Sequence, residues 1–209
     1  GVFAFDGSSN STLVNSTELL IGNSAPVFLI NPLINSTNGL NTTEQNLNVF
    51  FTSNDTDADS LTYSIQYFRN NISNFTLTSV AANLNVITVH VLNNLNVSKS
   101  ETWKAQVQLS DGTATSAYVN TTELLILNSN PAFNAGYPQI NSTDGTNLTT
   151  RNLNVIFIST DNDDLDTLRY DIQVFTNNVS NFTLRNLTYT NGTLQVEVIN
   201  SKNFTKGQT

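Results

Sequence analysis

The chain repeats itself at a distance of about 105 residues, and this repeat limits its fold more than any other feature. The segment VNSTELLIGNSAPVF, which begins at Val14, returns as VNTTELLILNSNPAF from Val119. A longer segment that begins at Asn46 returns from Asn152. Self-similarity at a fixed period indicates a repeat architecture, and this period has the length of a small β-domain. We therefore expect an array of two domains in 209 residues.

Within each repeat, apolar residues alternate with polar ones, which is the period of a half-buried antiparallel strand. The alternation predicts three inward-facing sets in the first repeat: Leu47, Val49 and Phe51; Leu61, Tyr63, Ile65 and Tyr67; and Ile87, Val89 and Val91. The second repeat preserves them as Leu153, Val155 and Phe157; Leu168, Tyr170, Ile172 and Val174; and Leu194, Val196 and Val198. No stretch has helical spacing and a cap, so the predicted fold class is all-β.

Short strands separated by turn residues favour an immunoglobulin-like (Ig-like) β-sandwich in each repeat. TNGT at 190–193 predicts a hairpin, because Asn-Gly tolerates positive φ at both central positions. SDGT from Ser110 and FDGS from Phe5 are Asp-Gly turns of the same kind. Trp103, which begins the strand before the SDGT turn, is expected in the core. The Cys–Trp–Cys pattern of antibody domains is absent, because the chain has no cysteine.

A further pattern runs along the chain: an acidic turn ending in D-[S/T]-L-x-Y, then K-x-x-T-W, and later V-N-[S/T]-T before N-P or A-P. In this the chain resembles the tandem Ig-like repeats of archaeal glycosylated cell-surface or filament proteins, and PKD- and cadherin-like modules share the acidic turn. The resemblance covers nearly the whole chain. It implies the fold and an extracellular, cell-surface location.

The phase of the repeats predicts three segments. Residues 1–22 match the last hairpin of a repeat, with Asp6-Gly7 on Asp111-Gly112; residues 23–128 form a complete repeat; and residues 129–209 lack the counterparts of the last two strands. An unfinished sheet exposes backbone groups and apolar surface, and both cost free energy. The N-terminal segment therefore has the shape needed to complete the open repeat of another copy.

Two arrangements satisfy this phase. In one, the chain is a subunit whose N-terminal hairpin completes its neighbour by β-strand addition, as in thread-like donor-strand filaments. In the other, the 209 residues belong to a longer covalent array, with three residues between Thr209 and Gly1 of successive stretches. Both predict a head-to-tail string of domains and a structural role. The alternative function is a spacer or stalk of a cell-surface adhesin.

Composition excludes several functional classes. The net charge is −8, the pI is about 4.3 and only eight Lys and Arg residues are scattered along the chain, which argues against nucleic-acid binding. No apolar run approaches the roughly 18 residues that a membrane span needs. His90, the sole histidine, is expected to point outward. Glu18 and Glu123 lie in matching strands, one in each repeat, so nothing pairs them as a catalytic acid and base. We expect no enzymatic activity.

Asparagine and hydroxyl residues supply most of the polarity, and they form sixteen Asn-x-Ser/Thr sequons, about twice the number that the residue frequencies predict by chance. A sequon marks a surface position in a secreted chain, so we expect heavy N-glycosylation. The predicted acceptors are Asn10, Asn15, Asn35, Asn41, Asn54, Asn71, Asn74, Asn96, Asn120, Asn141, Asn147, Asn178, Asn181, Asn186, Asn191 and Asn203.

The negative charge is concentrated in two acidic turns, one in each repeat: Asp55, Asp57 and Asp59, and Asp161, Asp163, Asp164 and Asp166. Alternate carboxylates in a loop can supply oxygen ligands to Ca²⁺. The other interpretation is that the Asp side chains accept backbone N–H groups and shape the turns. The second interpretation is favoured because the spacing differs between the repeats and no bidentate Glu follows. No other cofactor than N-linked glycans is expected.

Overall fold

The computed structural model describes residues 1–163 and 166–209, and in these residues the chain is all-β, as predicted. The strands of the first repeat are β1 (Val27–Ser36), β2 (Leu47–Asn54), β3 (Leu61–Arg69), β4 (Ile72–Ala82), β5 (Ile87–Leu92), β6 (Thr102–Ser110), β7 (Val119–Asn120) and β8 (Leu124–Leu125). Those of the second are β9 (Ala132–Phe133), β10 (Gln139–Ser142), β11 (Leu153–Phe157), β12 (Ser159–Thr160), β13 (Arg169–Thr176), β14 (Val179–Thr188) and β15 (Gln195–Ile199). The described residues also include two 3₁₀ turns, at Asn94–Asn96 and Ser201–Asn203.

Antiparallel sheets face each other across the core of residues 23–128, which is consistent with a β-sandwich. One sheet has the order β1-β2-β5, and the other has the order β4-β3-β6, with β7 and β8 both paired to β6. Their inner side chains form one hydrophobic cluster in which Phe51, Ile65 and Trp103 are at most 1% exposed. The predicted core role of Trp103 is confirmed. Phe51 and Tyr63 meet edge to face at 5.2 Å, a favourable aromatic geometry.

Residues 129–209 repeat this arrangement in part. Their main sheets have the orders β10-β11-β15 and β13-β14, and β9 pairs with β12. Ile172, Val174 and Ile199 form a separate buried cluster. The predicted inward faces of β2, β3, β11 and β13 are confirmed, because their alternate residues carry the two clusters. We refer to residues 23–128 and 129–209 as the first and second units; their boundaries stay a prediction.

The predicted inward face of β5 and β15 is wrong. Ile87, Val89 and Val91 are about half exposed, as are Leu194, Val196 and Val198. The register explains the difference: β5 pairs with β2 so that His90 lies opposite Val49, and directly opposed residues of an antiparallel pair share one face. Because Val49 points into the core, His90 and Leu92 must as well.

The hairpin predicted at 190–193 is also wrong. This turn joins β14 to β15, which belong to different sheets, and only Gly192 of its two central residues has positive φ. The tight turns with positive φ at both central residues are Asn70-Asn71, between β3 and β4, and Asn177-Asn178, between β13 and β14. Asparagine tolerates this conformation better than other residues with a side chain.

Candidate functional site

In the part of the second unit that the structure describes, one edge of β13 has no paired strand. In the first unit, β3 pairs with β4 on one side and with β6 on the other, in a register that sets Ile65 opposite Val107. In the second unit, β13 pairs with β14, and within the residues that the structure describes no strand pairs with its other edge. The free backbone groups of this edge form a template for one further strand.

A cleft of about 960 Å³ opens beside this edge, between the two sheets of the second unit. Its apolar wall includes Leu153, Val155, Phe157, Tyr170, Ile172 and Val174. In the first unit the equivalent space is filled by Trp103, Val107, Leu109 and Ile126, each at most 1% exposed. The open cleft therefore lies where β6 and the strands that follow it complete the first unit.

Residues 2–14 form a hairpin that matches residues 107–119 of the first unit bond for bond. Val2 pairs with Val14 as Val107 pairs with Val119. Ser11 N donates to Ala4 O at 2.8 Å, and the equivalent Ser116 N donates to Leu109 O at 3.0 Å. The side chains follow the same pattern, because the Oγ of each serine accepts from the backbone N–H of Ala4 or Leu109.

The two turns are stabilised in the same way. The carboxylate of Asp6 accepts the N–H groups of Ser8 and Ser9, and that of Asp111 accepts those of Thr113 and Ala114. These backbone donors hold the pKa of both carboxyl groups below its usual value. A hairpin turn forms at both Asp-Gly pairs, as predicted, but only Gly7 and Gly112 have positive φ, so neither turn is of the predicted kind with positive φ at both central residues.

The two hairpins differ in burial. Val2 is 77% exposed and Ile21 is 80% exposed, whereas their counterparts Val107 and Ile126 are buried at 0% and 1%. Leu19 and Leu20 are also exposed. The N-terminal segment (residues 1–22) thus has counterparts of the apolar side chains that close the core of the first unit. In the N-terminal segment these side chains are exposed to solvent.

Thr209 sets the register on the free edge. Its carbonyl accepts from Asn177 N, and its N–H donates to Asn177 Oδ1 at 3.0 Å. Thr102 makes the same pair of bonds with Asn70 at the start of β6. The second unit therefore presents its β13 edge just beyond Thr209, in the position that β6 takes on β3.

The structure brings each predicted acidic triad together, with carboxylate oxygens of Asp55, Asp57 and Asp59, and of Asp161, Asp163 and Asp166, within 4.8 Å of one another. Asp164 lies outside the described residues. Backbone N–H groups occupy part of both triads: Asp57 N donates to Asp55 and Asp163 N donates to Asp161, each at 2.8 Å. These bonds fit the turn interpretation, and Ca²⁺ binding stays a prediction.

Fourteen of the sixteen predicted glycosylation sites are exposed; Asn41 and Asn54 are half-buried. Asn71 and Asn178 lie at the tips of the two Asn-Asn turns. Asn191 is the most constrained acceptor, because its amide group both donates to Asp161 O and accepts from Asp161 N. Glycosylation itself stays a prediction, which this exposure supports.

The outward orientation predicted for His90 is wrong. Its Nδ1 lies 2.7 Å from Tyr67 Oη, beneath the β3 sheet, and burial lowers the pKa of the imidazole. Its counterpart Glu197 accepts a hydrogen bond from Tyr170 Oη. Burial also raises the pKa of the Tyr67 and Tyr170 hydroxyls, so both stay protonated, and Tyr170 donates to Glu197 on the facing strand. These pairs join the two sheets of each unit.

No family model, curated protein or solved structure matches the chain. Among the residues that the structure describes, no helix is long and apolar enough to cross a membrane.

Proposed function

We propose that this protein is a structural subunit of an extracellular, heavily N-glycosylated filament or surface array. The N-terminal segment of each copy completes the second unit of the preceding copy, and both units are Ig-like sandwiches. One observation carries the proposal. Residues 2–14 reproduce the hairpin that closes the first unit, with their apolar side chains exposed, while the second unit leaves the matching edge and cleft open.

The register of the first unit predicts how the segment docks. Because Ile65 pairs with Val107 and Ser64 with Gln108, Val2 should lie opposite Ile172 and Phe3 opposite Asp171. Val2 and Ile21 then enter the cleft, and full burial of each stabilises the complex by about 1.5–3 kcal/mol. The backbone ladder of β13 gains partners at the same time, as in other cases of β-strand addition.

The geometry of this contact favours an open chain of subunits. The N-terminal segment and the cleft are different surfaces of one molecule, so the contact is heterologous and does not close on itself. Covalent continuation of the array would give the same string of units. Charged residues are only 11% of the chain, and exposed sequons along the string would supply a hydrated glycan coat instead.

The alternative is a stalk of an adhesin, in which the units space a binding tip. Self-assembly separates the two functions, because a filament subunit polymerises end to end without another protein. We expect deletion of residues 1–21 to abolish polymers seen by electron microscopy and sedimentation, while the first unit keeps its circular dichroism. Polymers that persist after the deletion would refute the proposal.

A matched pair of substitutions tests which face of the hairpin enters the cleft. Val2→Gln places a polar group in the cleft and should prevent assembly, since a buried amide without partners costs about 1–3 kcal/mol. Phe3→Gln installs the residue found at the equivalent Gln108 and should leave assembly intact. Equal effects of the two would contradict the predicted register.

The mass of the denatured, deglycosylated polypeptide from natural filaments separates the two arrangements. A mass near 22.9 kDa means separate subunits joined by hairpins, and a mass several times larger means a covalent array.

A further inference from the structure

The junction between the first and second units is held by the second acidic turn. The carboxylate of Asp163 is buried, and it accepts from Thr43 Oγ1 at 2.6 Å and from Ser129 N at 2.6 Å. Lys99 forms an ion pair with Asp166 in the same turn. Thr43 and Lys99 belong to the first unit and Ser129 begins the second. The turn therefore ties one unit to the next.

The first acidic turn has half of this arrangement. Asp57 is the counterpart of Asp163, and it accepts from Ser24 N at 2.6 Å, as Asp163 accepts from Ser129 N. The residues equivalent to Thr43 and Lys99 would belong to a preceding unit, and within the second unit they are Thr149 and Lys206. Both halves of a second junction are thus present in the chain, at opposite ends.

The side chains of these two halves are available. Asp57 and Thr149 are exposed, whereas their counterparts Asp163 and Thr43 are buried. Among the described residues, neither Asp59 nor Lys206 forms an ion pair, although their counterparts Asp166 and Lys99 pair with each other.

The first acidic turn also carries a sign of a missing partner. Asp55 is 4% exposed, and its Oδ2 is buried without a hydrogen-bond donor among the described residues. Three carboxylates converge here, and in the described part of the chain no basic side chain forms an ion pair with them, whereas Lys99 pairs with Asp166 in the equivalent cluster. A cation supplied from outside would lower the electrostatic cost of this cluster.

We propose that the contact between successive copies repeats the junction inside the chain. Lys206 of one copy pairs with Asp59 of the next, and Thr149 donates a hydrogen bond to Asp57. This inference rests on the proposed function, because insertion of the N-terminal segment brings these residues together. The hairpin supplies affinity, and the acidic turn sets the orientation of one subunit on the next, as the same turn does between the two units of one chain.

Zero-length coupling of amines to carboxylates with a carbodiimide tests the inference on the unmodified protein. Polymers are assembled from equal amounts of ¹⁵N-labelled and unlabelled chains, coupled, digested and analysed by mass spectrometry. We expect mixed-isotope peptides that join Lys206 to Asp59. The Lys99–Asp166 linkage, which forms within one chain, is the internal control and should show no isotope mixing.

Two variants of Lys206 separate the effect of its positive charge on assembly from its reactivity in the carbodiimide coupling. Lys206→Arg should abolish the linkage and leave assembly intact, because the cation remains. Lys206→Glu should raise the critical concentration of assembly roughly tenfold or more, since like charges would then meet at the junction. Asp59→Lys in the same chain as Lys206→Glu should lower the critical concentration again to that of the unmodified protein. Absence of restoration would overturn the inference.

A cysteine pair distinguishes failure of this inference from failure of the proposed function. The chain has no cysteine, so Phe3→Cys and Asp171→Cys report hairpin insertion alone as a disulfide between copies. If this disulfide forms and the Lys206–Asp59 linkage does not, the hairpin proposal stands and the junction inference falls. If neither forms, both the junction inference and the proposed function fall.

Saturable Ca²⁺ binding to assembled polymers that Asp59→Asn abolishes would also overturn the inference, because a metal would then compensate the cluster.

Discussion

His90 shows at the scale of one residue how a polar group enters this core. Its ring is half-buried, and its Nδ1 meets the hydroxyl of Tyr67, so the imidazole has a hydrogen-bond partner in place of water. The sequence predicts the opposite orientation for His90, because the neighbouring Val89 and Val91 have stronger β-propensity and apolar character. Propensity does not tell the two faces of a strand apart.

The pKa of His90 predicts an acid-sensitive first unit. Burial lowers the pKa of the folded imidazole below the ordinary value of 6.5, so between these two values the unfolded chain binds a proton that the folded chain does not. The free energy of unfolding should therefore rise with pH across this window and become constant above about 6.5. Denaturant titrations from pH 4 to 8 measure it.

The matched variant His90→Gln keeps a polar partner for Tyr67 but does not titrate. We expect its stability to change less with pH over the same window. The carboxyl of Asp111 has a lowered pKa too and also favours the folded state at higher pH, but its effect is confined to pH values below its usual 3.8. An unchanged slope in the variant would show that other groups cause the pH dependence.

At the scale of the strand, register decides which residues pack. Strands β2 and β5 both alternate, yet the apolar set of β2 is buried and the predicted set of β5 is exposed. The same reversal occurs at β15. Pairing with β2 and β11 fixes these faces, and a change of one residue in register would move every side chain to the opposite face.

One substitution made on each of two paired strands tests this reversal. Val49→Ala removes two methyl groups from a fully buried site and should destabilise the first unit by about 2 kcal/mol or more. Val89→Ala, at a half-exposed site on β5, should cost less than about 1 kcal/mol. Chemical denaturation at constant m-value measures both. If Val89→Ala lowers the free energy of unfolding more than Val49→Ala does, Val89 points into the core, as the sequence predicts for β5.

At the scale of the whole molecule, the two units differ in how completely their cores are closed. The first cluster has buried members from β1, β2, β3, β5 and β6 together with Val97 and Ile126, whereas the second has three buried members among the described residues. We expect two unfolding transitions in a chain that lacks residues 1–21, with the second unit melting first, because its cleft exposes apolar surface to water.

A peptide of residues 1–21 should stabilise that weaker unit in proportion to its binding. At a peptide concentration 100 times the Kd, mass action raises the free energy of unfolding by about 2.7 kcal/mol. Scanning calorimetry should show the lower transition moving upward with peptide concentration and the upper one unchanged. A Val2→Gln peptide is the control, and an equal response to both peptides would count against binding in the cleft.

The repeat, the strand periodicity and the turn residues determined much of this protein by themselves: the all-β class, the faces of β2, β3, β11 and β13, and the match of residues 2–14 with 107–119. These features are local, or follow from comparing the chain with itself. Only the tertiary structure decided the faces of β5 and β15, the place of the tight turns and the partners of the acidic residues. Those depend on which strands pair and in what register, and the contacts that set the pairing lie far apart in the chain. Thr43 and Asp163, for example, meet across 120 residues.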